Sequence, residues 1–196
     1  MMKRVFDIGG ALLGLLFLVP PFVLCALVIK LDSRGPIFFR QTRVGREFRP
    51  FFIYKFRTMV EDAPQTGGPI TFGEDLRITR VGRILRKTKI DELPQLLNVL
   101  KGDMSFVGPR PEVQLYVELF RQDFEEILKV RPGITDIASL KYRDEATILG
   151  QYDNPVEAYL NHVLPDKIIL GKEYIKKSSL LFDLNLILKT SRSLFS

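Results

Sequence analysis

Residues 89–111 read KIDELPQLLNVLKGDMSFVGPRP, and this segment contains the most distinctive chemical pattern in the chain. Two adjacent acids, Asp91 and Glu92, precede a short apolar run that ends at Gly102. Pro94 lies where the first turn of a helix tolerates a missing N–H donor, and glycine is common just after a helix ends. The pattern therefore predicts a short helix over residues 93–100, with both acids at its amino terminus.

The two acids have a structural interpretation and a chemical one. An Asp before an apolar helix is a common N-cap, and caps are far commoner than active sites. The helix dipole also favours an ionised carboxylate there, as a nucleophile or metal ligand must be. Pro109 and Pro111 hold Arg110 outside helical geometry, and Gly108 suggests that the backbone closely approaches an anion. These neighbours favour a phosphoryl-transfer site.

Four arginines at three-residue intervals approach the acids along a near-helical stretch: Arg77, Arg80, Arg83 and Arg86. This spacing produces one slowly drifting stripe on a helix, suited to lipid headgroups, a pyrophosphate or water. We interpret Arg77 and Arg80 as solvated. Arg86 lies nearest the acids, so we expect it to bind a phosphate.

Residues 8–29 carry no charged side chain, whereas residues 34–57 are rich in arginine and lysine. The contrast predicts a membrane-anchoring segment over residues 1–32 and a soluble domain over residues 33–196. The apolar run reaches the roughly twenty residues that a membrane span needs. It lacks a small-residue cleavage site before Lys30, so we expect the segment to be retained.

Pro20 and Pro21 lie in the middle of this apolar run and remove two consecutive backbone donors, which predicts a kink or break. Both flanks are basic, so the positive-inside preference would place both ends on the cytoplasmic side. The expected structure is a helix–break–helix that enters one leaflet and returns. An ordinary kinked span is the alternative.

The remaining pattern predicts an α/β fold that is mostly α with a short β-hairpin. Residues 36–41 and 51–57 are rich in β-branched and aromatic residues and read as two strands joined near Gly45. Alternation places Lys55 and Arg57 on one face, where they bind phosphate or are solvated. Residues 180–189 suit an amphipathic helix at a membrane interface, and docking on the core is the alternative.

The bulk composition limits the chemistry without choosing a substrate. The 196 residues fit one domain with appendages, and a net charge of +6 favours anionic partners, whether phospholipid, nucleotide or nucleic acid. Cys25 is the only cysteine, which excludes an intramolecular disulfide and a Cys-based zinc site. His162 is the only histidine and lies in a helical pattern, so we leave it out of the chemistry.

The order of these motifs resembles the small monotopic phosphoglycosyl transferases, bacterial sugar transferases that begin lipid-linked glycan assembly. The resemblance covers nearly the whole chain. Besides the basic start and proline-broken helix, it rests on GPIFFRQ at 35–41, YKFRTM at 54–59, DELPQL at 91–96, NVLKGDMS at 98–105, VGPRP at 107–111 and RPGIT at 131–135.

The resemblance implies transfer of a sugar-1-phosphate from a UDP-sugar to polyprenyl (undecaprenyl) phosphate, with Mg²⁺ as cofactor and UMP as product. It places the enzyme on the cytoplasmic face of the bacterial inner membrane, where its partners are both substrates and the phospholipid bilayer. Exopolysaccharide synthesis is one such pathway. We expect no nucleic acid partner and leave a homo-oligomer open.

The same resemblance assigns roles to individual residues. Asp91 is the nucleophile that forms a covalent phosphosugar intermediate, and Glu92 is the paired acid, either a base or a metal ligand. Both acids are candidate magnesium ligands. Pro20 and Pro21 break the membrane helix. The residues that the resemblance implies for phosphate binding are Arg86 and Arg110, with Arg131 and Arg143 as further candidates, and the strand pattern adds Lys55.

The chain departs from the family pattern in three places. Pro20-Pro21 replaces a common Ser-Pro, and Leu97 replaces a common aromatic residue. Residues 136–145 replace a Gly and a Gln-Val-Asn-Gly-Arg-like segment, which leaves the sugar and the alignment of Arg143 undefined.

Two other classes of function remain. A non-enzymatic membrane adaptor for anionic lipid or nucleic acid would explain the basic face, but not the acids beside Arg110. A magnesium-dependent phosphohydrolase would use the same carboxylates with water as acceptor.

Overall fold

The computed structural model describes residues 2–68 and 70–193, which are mostly helical. The first half of the chain contains α1 (Met2–Asp32), β1 (Phe38–Val44), a 3₁₀ turn (Arg46–Phe48), β2 (Pro50–Phe56), α2 (Ala63–Thr66), α3 (Arg80–Lys87), a 3₁₀ helix (Ile90–Gln95), α4 (Leu96–Lys101) and β3 (Ser105–Val107). The second half contains α5 (Gln114–Leu119), α6 (Arg121–Ile127), β4 (Gly133–Thr135), α7 (Ile137–Lys141), α8 (Glu145–Leu149), α9 (Pro155–Ala158), a π-helix (Tyr159–Val163), α10 (Leu164–Lys177) and α11 (Leu180–Ser193).

The predicted hairpin is confirmed. Strands β1 and β2 are antiparallel, with Phe38 opposite Phe56 and Val44 opposite Pro50. The connecting turn places Glu47 and Phe48 at positive φ, 58° and 59°. The hairpin lies against the 3₁₀ helix that carries the two acids, so β2 forms one wall of the candidate site.

Strands β3 and β4 form a short parallel pair that brings two distant motifs together. Ser105 is opposite Gly133, and Val107 is opposite Thr135. A Cβ on Gly108 would lie 3.1 Å from the Gly133 backbone nitrogen and closer still to the Arg131 carbonyl oxygen. The side of Gly108 where a Cβ would stand therefore faces the neighbouring backbone, which explains the need for glycine here, and its approach to an anion stays a prediction.

Helix α1 is continuous over Met2–Asp32 and includes both prolines, so the predicted helix break is not confirmed. Within the described residues it is the one helix long and apolar enough to cross a membrane, by length and composition, and an 18-residue window of it has a mean hydropathy of 2.8. At 1.5 Å per residue its 31 residues extend about 46 Å. That length exceeds the roughly 30 Å hydrocarbon core of a bilayer.

One face of α1 packs along the rest of the fold. Ala11 packs against α4, while Cys25 and Ile29 contact Leu85 of α3 and Phe56 of β2. The opposite face is exposed along the helix and apolar up to Lys30 in its last turn. It includes Val5, Leu12, Leu16, Phe17, Val23, Leu27 and Leu31.

Polar contacts attach both ends of α1 to the remainder of the chain. Lys3 Nζ donates to the Val107 carbonyl oxygen (2.9 Å) and forms an ion pair with Asp183 of α11. At the other end, the Val81 backbone nitrogen donates to Asp32 Oδ2 (3.3 Å). Because both ends contact the same body, α1 lies across one side of it and does not project away.

Helix α11 combines the two alternatives drawn from its sequence. Asp183 and Leu186 are buried where the helix contacts β3, β4 and α7, so the helix docks on the core. Leu181 is 81% exposed and Leu188 is 58% exposed on its outer face. An apolar surface therefore remains for a membrane interface, which stays a prediction.

Candidate active site

The two acids follow a tight reversal of the backbone after α3. Lys89 adopts the left-handed region, with φ of 57°, and the 3₁₀ helix begins at Ile90. Gly102, with φ of 92°, ends α4 as predicted. Asp91 is inside the first turn and does not occupy the capping position, which Lys89 holds without a side-chain hydrogen bond. The capping interpretation of Asp91 is therefore wrong.

Asp91 is buried with part of its hydrogen-bonding capacity unused. Asp91 is only 6% exposed, and its Oδ1 accepts no hydrogen bond from the described residues. Burial raises the pKa of the Asp91 carboxyl, against the opposing charges of Lys55 and Arg86. A buried carboxylate oxygen without a donor is costly in a resting protein, so this atom is available to a substrate or cation.

Glu92 has the opposite environment. Arg110 donates from Nη1 to Oε2 (3.1 Å) and from Nη2 to Oε1, and Lys55 Nζ donates to Oε1 (2.8 Å). Burial alone would raise the pKa of Glu92, but the charges and hydrogen bonds of Arg110 and Lys55 outweigh it. Together they hold the pKa well below its usual range. Glu92 is thus a carboxylate clamped between two cations.

The pKa values of the two cations that bind Glu92 are also shifted. Glu92 raises the pKa of the Arg110 guanidinium, whereas burial lowers the pKa of the Lys55 ammonium despite the same carboxylate. The Arg110 backbone nitrogen donates to Asp136 Oδ2 (3.2 Å), which fixes the loop that the two prolines stiffen. Arg110 and Lys55 are therefore brought to the acids as predicted, but both are already bound to Glu92.

Arg86 is near enough to Asp91 for their charges to interact, and its side-chain hydrogen bonds go to neutral groups. Its Nε donates to Thr58 Oγ1 (2.8 Å), and its Nη1 donates to Thr71 Oγ1 (3.2 Å). Burial lowers the pKa of the Arg86 guanidinium, and the nearby Asp91 charge opposes that change. The sequence identifies Thr58 only as part of the YKFRTM motif and does not single out Thr71. A threonine in a loop carries no local sequence signal for a hydrogen bond to a distant arginine.

The other two predicted arginines are placed differently. Arg131 Nε donates to the Gly102 carbonyl oxygen (2.8 Å), at the opposite end of α4 from the acids. Burial, followed by the charges of Arg4 and Arg46, lowers its pKa. Arg143 follows α7, and its carbonyl oxygen accepts a hydrogen bond from Lys89 Nζ (3.3 Å). The structure thus brings the Arg143 segment to the turn before the acids, but not Arg131.

Three other polar residues lie outside the predicted set. Arg57 donates to Ser33 Oγ (2.9 Å), so it anchors the segment after α1 and is neither solvated nor on the site. Asn98 fixes α4 to β2, donating to the Phe52 carbonyl oxygen (2.7 Å). Gln95 is fully buried, and neither its amide oxygen nor its amide nitrogen has a partner in the described structure.

The donor set limits how a metal is held. Among residues 2–68 and 70–193 no group of three or more His, Cys, Asp or Glu side chains could bind a metal ion. Mg²⁺ is commonly held by one or two carboxylates together with substrate phosphates and water. Asp91, with its unpaired Oδ1, fits that arrangement as a single ligand. Glu92 does not offer a free oxygen of the same kind, because its oxygens bind Arg110 and Lys55.

A buried acid with an unused oxygen, beside arginines, has the groups that phosphoryl transfer requires. A family model described as bacterial sugar transferase matches residues 1–196. The chain therefore belongs to the bacterial sugar transferase family.

Three relatives are similar to this protein over most of this chain. The UDP-N-acetylgalactosamine-undecaprenyl-phosphate N-acetylgalactosaminephosphotransferase of Aeromonas hydrophila is 38% identical over 99% of this chain and 44% of its own length. The exopolysaccharide production protein PSS of Rhizobium leguminosarum is 40% identical over 96% of this chain and 92% of its own. The UDP-glucose:undecaprenyl-phosphate glucose-1-phosphate transferase of Caulobacter vibrioides is 42% identical, with coverages of 99% and 70%. This chain thus spans less than half of the Aeromonas protein but nearly all of the Rhizobium one.

Proposed function

We propose that this protein transfers a sugar-1-phosphate from a UDP-sugar to undecaprenyl phosphate through a covalent intermediate on Asp91. The single observation that carries the proposal is the buried Asp91 carboxylate, whose Oδ1 has no hydrogen-bond partner in the described chain. The names of the Aeromonas and Caulobacter relatives support the same class of acceptor and donor. Those names differ in the sugar, so the sugar has to be determined by experiment.

The proposed reaction has two displacements at one phosphorus atom. Asp91 Oδ1 attacks the phosphorus that bears the sugar, and the bond from that phosphorus to the bridging oxygen breaks, which releases UMP. A phosphate oxygen of the lipid then attacks the same phosphorus. The Asp91 carboxylate leaves, and a lipid diphosphate sugar is formed. Each step exchanges one P–O bond for another, as in other covalent phosphoryl transfers.

Glu92 is a poor general base in this scheme. An efficient base has a pKa near the working pH, whereas Arg110 and Lys55 hold the pKa of Glu92 well below its usual range. Its supported role is to hold these two cations beside Asp91. The phosphate groups of the substrate would then approach Arg86 and the outer N–H groups of Arg110, which is 33% exposed at its side chain.

Magnesium is part of the proposal. Asp91 would hold the ion through the carboxylate oxygen that does not attack phosphorus, and bound Mg²⁺ would neutralise charge on the diphosphate of the donor. Side chains of the protein, above all Arg86 and Arg110, would neutralise the remaining negative charge of the donor diphosphate.

We also propose that α1 lies in one leaflet, with its two ends on the same side. The contacts of Lys3 and Asp32 with one body support this placement, as does the exposed apolar face between them. A bilayer-spanning helix would carry its ends to opposite surfaces. The active site would then face the cytoplasm at the inner membrane, where a soluble nucleotide sugar and a lipid phosphate can meet.

The topology test uses single cysteines in a Cys25→Ser background. Met2→Cys and Ser33→Cys are labelled with an impermeant thiol reagent in intact spheroplasts and in inverted vesicles. We expect both sites to label only in inverted vesicles. Labelling of Met2→Cys from the outside would establish a spanning helix.

The test of function measures UMP release by the purified full-length protein with undecaprenyl phosphate, Mg²⁺ and a panel of UDP-sugars. We expect release that depends on the lipid and on one or a few sugars. Release without lipid at the same rate would indicate a phosphohydrolase that uses water. No release with any sugar would leave the membrane adaptor as the better description.

A further inference from the structure

Arg86 differs from the other arginine beside the acids in the partners that hold it. Arg110 forms an ion pair with Glu92, so its charge is already compensated. None of the ion pairs within residues 2–68 and 70–193 includes Arg86, although burial is sufficient to lower the pKa of its guanidinium. A partly buried cation held by uncharged partners keeps its attraction for an incoming anion.

The two partners of Arg86 are threonine hydroxyls from different parts of the fold. Thr58 is 6% exposed and follows β2, and its Oγ1 accepts from Nε (2.8 Å). Thr71 lies in the loop between α2 and α3, and its Oγ1 accepts from Nη1 (3.2 Å). A guanidinium has five N–H donors, so two hydroxyls orient its plane and leave N–H groups for a ligand.

Both threonines are themselves fixed by backbone contacts. A Cβ on Gly82 of α3 would lie 2.7 Å from the Thr58 carbonyl carbon, so α3 and Thr58 are in close contact. The loop with Thr71 is attached two residues later, where the Gly73 backbone nitrogen donates to the Ala146 carbonyl oxygen (2.9 Å). Arg86 is thus oriented by two chain segments that lie apart in the sequence.

We infer that Thr58 and Thr71 are positioning residues that orient Arg86, which forms no ion pair within the described residues, toward a substrate phosphate near Asp91. This inference rests on the proposed function and specifies how its phosphate site is built. The ligand is a phosphate or diphosphate, which comes from either the nucleotide sugar or the lipid phosphate. Replacing either hydroxyl by an isosteric methyl leaves the charge in place but removes one of the two bonds that aim it.

The experiment compares Thr58→Val and Thr71→Val with Thr58→Ser and Thr71→Ser. KM and kcat are measured with UDP-sugar varied at saturating lipid and with lipid phosphate varied at saturating UDP-sugar. Thr66→Val is the matched control, since the Thr66 hydroxyl donates within its own turn to the Ala63 carbonyl oxygen. We expect each Val variant to raise KM for one substrate about 3- to 10-fold with kcat within about twofold, the usual size of a lost hydrogen bond to a charged group.

The substrate whose KM rises identifies the source of the phosphate. The Ser variants should restore the wild-type KM, and Thr66→Val should match the wild type. Wild-type KM values for both substrates in both Val variants would overturn the inference. Equal effects in the Ser and Val variants would overturn it too, because they would indicate a packing role. If Thr58→Val does not fold, the more exposed Thr71→Val decides.

A binding measurement separates failure of this inference from failure of the proposed function. Titration of the full-length protein with inorganic pyrophosphate, followed by thermal shift, requires no turnover. We expect the half-saturating concentration to rise about 3- to 10-fold in both Val variants. An inactive wild-type protein that still shows this pattern would refute the proposed reaction alone. Unchanged half-saturation in both variants of an active enzyme would refute the role of the threonines alone.

Discussion

Both carboxylate oxygens of Glu92 accept hydrogen bonds from the Arg110 guanidinium, with 3.1 Å between Arg110 Nη1 and Glu92 Oε2. The preceding residue, Asp91, has an oxygen without any donor in the described part of the chain. Two neighbouring acids of similar chemistry thus have pKa values shifted in opposite directions. Opposed shifts of this kind are how paired carboxyl groups acquire different roles.

Glu92→Gln should destabilise the protein. The substitution leaves Arg110 and Lys55 without their shared carboxylate, and breaking a buried ion pair costs roughly 3 kcal/mol. For a domain of this size we expect Tm to fall by about 6–12 °C in thermal unfolding. Glu118→Gln is the control, because Glu118 pairs with Arg121 on the surface. Equal losses in the two variants would show that the Glu92 clamp has no special importance.

Asp91→Asn should abolish turnover and leave the protein at least as stable as the wild type. Burial raises the pKa of Asp91, so its stabilising contribution is present below the unfolded pKa and is lost as pH rises through the folded pKa. At neutral pH the ionised group therefore costs stability, which Asn removes. We expect Tm at neutral pH to be equal to or higher than that of the wild type, because Asn carries no charge to bury. UMP release and thermal unfolding check both parts. A fall in Tm would contradict the desolvation argument.

The acidic limb of the rate profile should reflect Asp91. The nucleophile must be ionised, and burial raises its pKa above the value of about 3.9 for a free Asp. As pH falls, kcat/KM for the UDP-sugar should decline with a midpoint above that value. Glu92 cannot produce this limb, because its pKa is shifted downward. A midpoint at or below the ordinary Asp value would indicate that Asp91 is not the titrating nucleophile.

Gly82→Ala should impair activity through the position of α3. The added Cβ would overlap the Thr58 carbonyl group, which is backbone and cannot rotate away. We expect α3 to shift and carry Arg86 with it, raising KM at least threefold and destabilising the protein by about 1–3 kcal/mol. Gly9→Ala in α1 is the control, since a Cβ there has nothing within 4 Å. Kinetics and thermal unfolding of both variants test this, and a wild-type KM in Gly82→Ala would refute it.

Local sequence was sufficient for the short elements around the acids. Pro94 and Gly102 correctly placed the helical segment after Asp91, and β-branched and aromatic residues correctly placed the hairpin. These elements depend on backbone preferences within a few residues, which the sequence states directly. The assignment of the acids to an N-cap was wrong because the left-handed Lys89 holds the capping position, and the helical turn begins at Ile90, three residues earlier than the pattern predicted.

The sequence by itself determined which groups are present: an acid pair, arginines that approach it, and one long apolar helix. Tertiary structure alone decided their partners. It clamped Glu92 with Arg110 and Lys55, left Asp91 Oδ1 unpaired among the described residues, and oriented Arg86 with Thr58 and Thr71. It also directed Arg131 to the carbonyl oxygen of Gly102 and placed α1 across the fold by both ends. Charge, burial and hydrogen bonding at these positions come from residues distant in the chain, and local preference carries no information about such contacts.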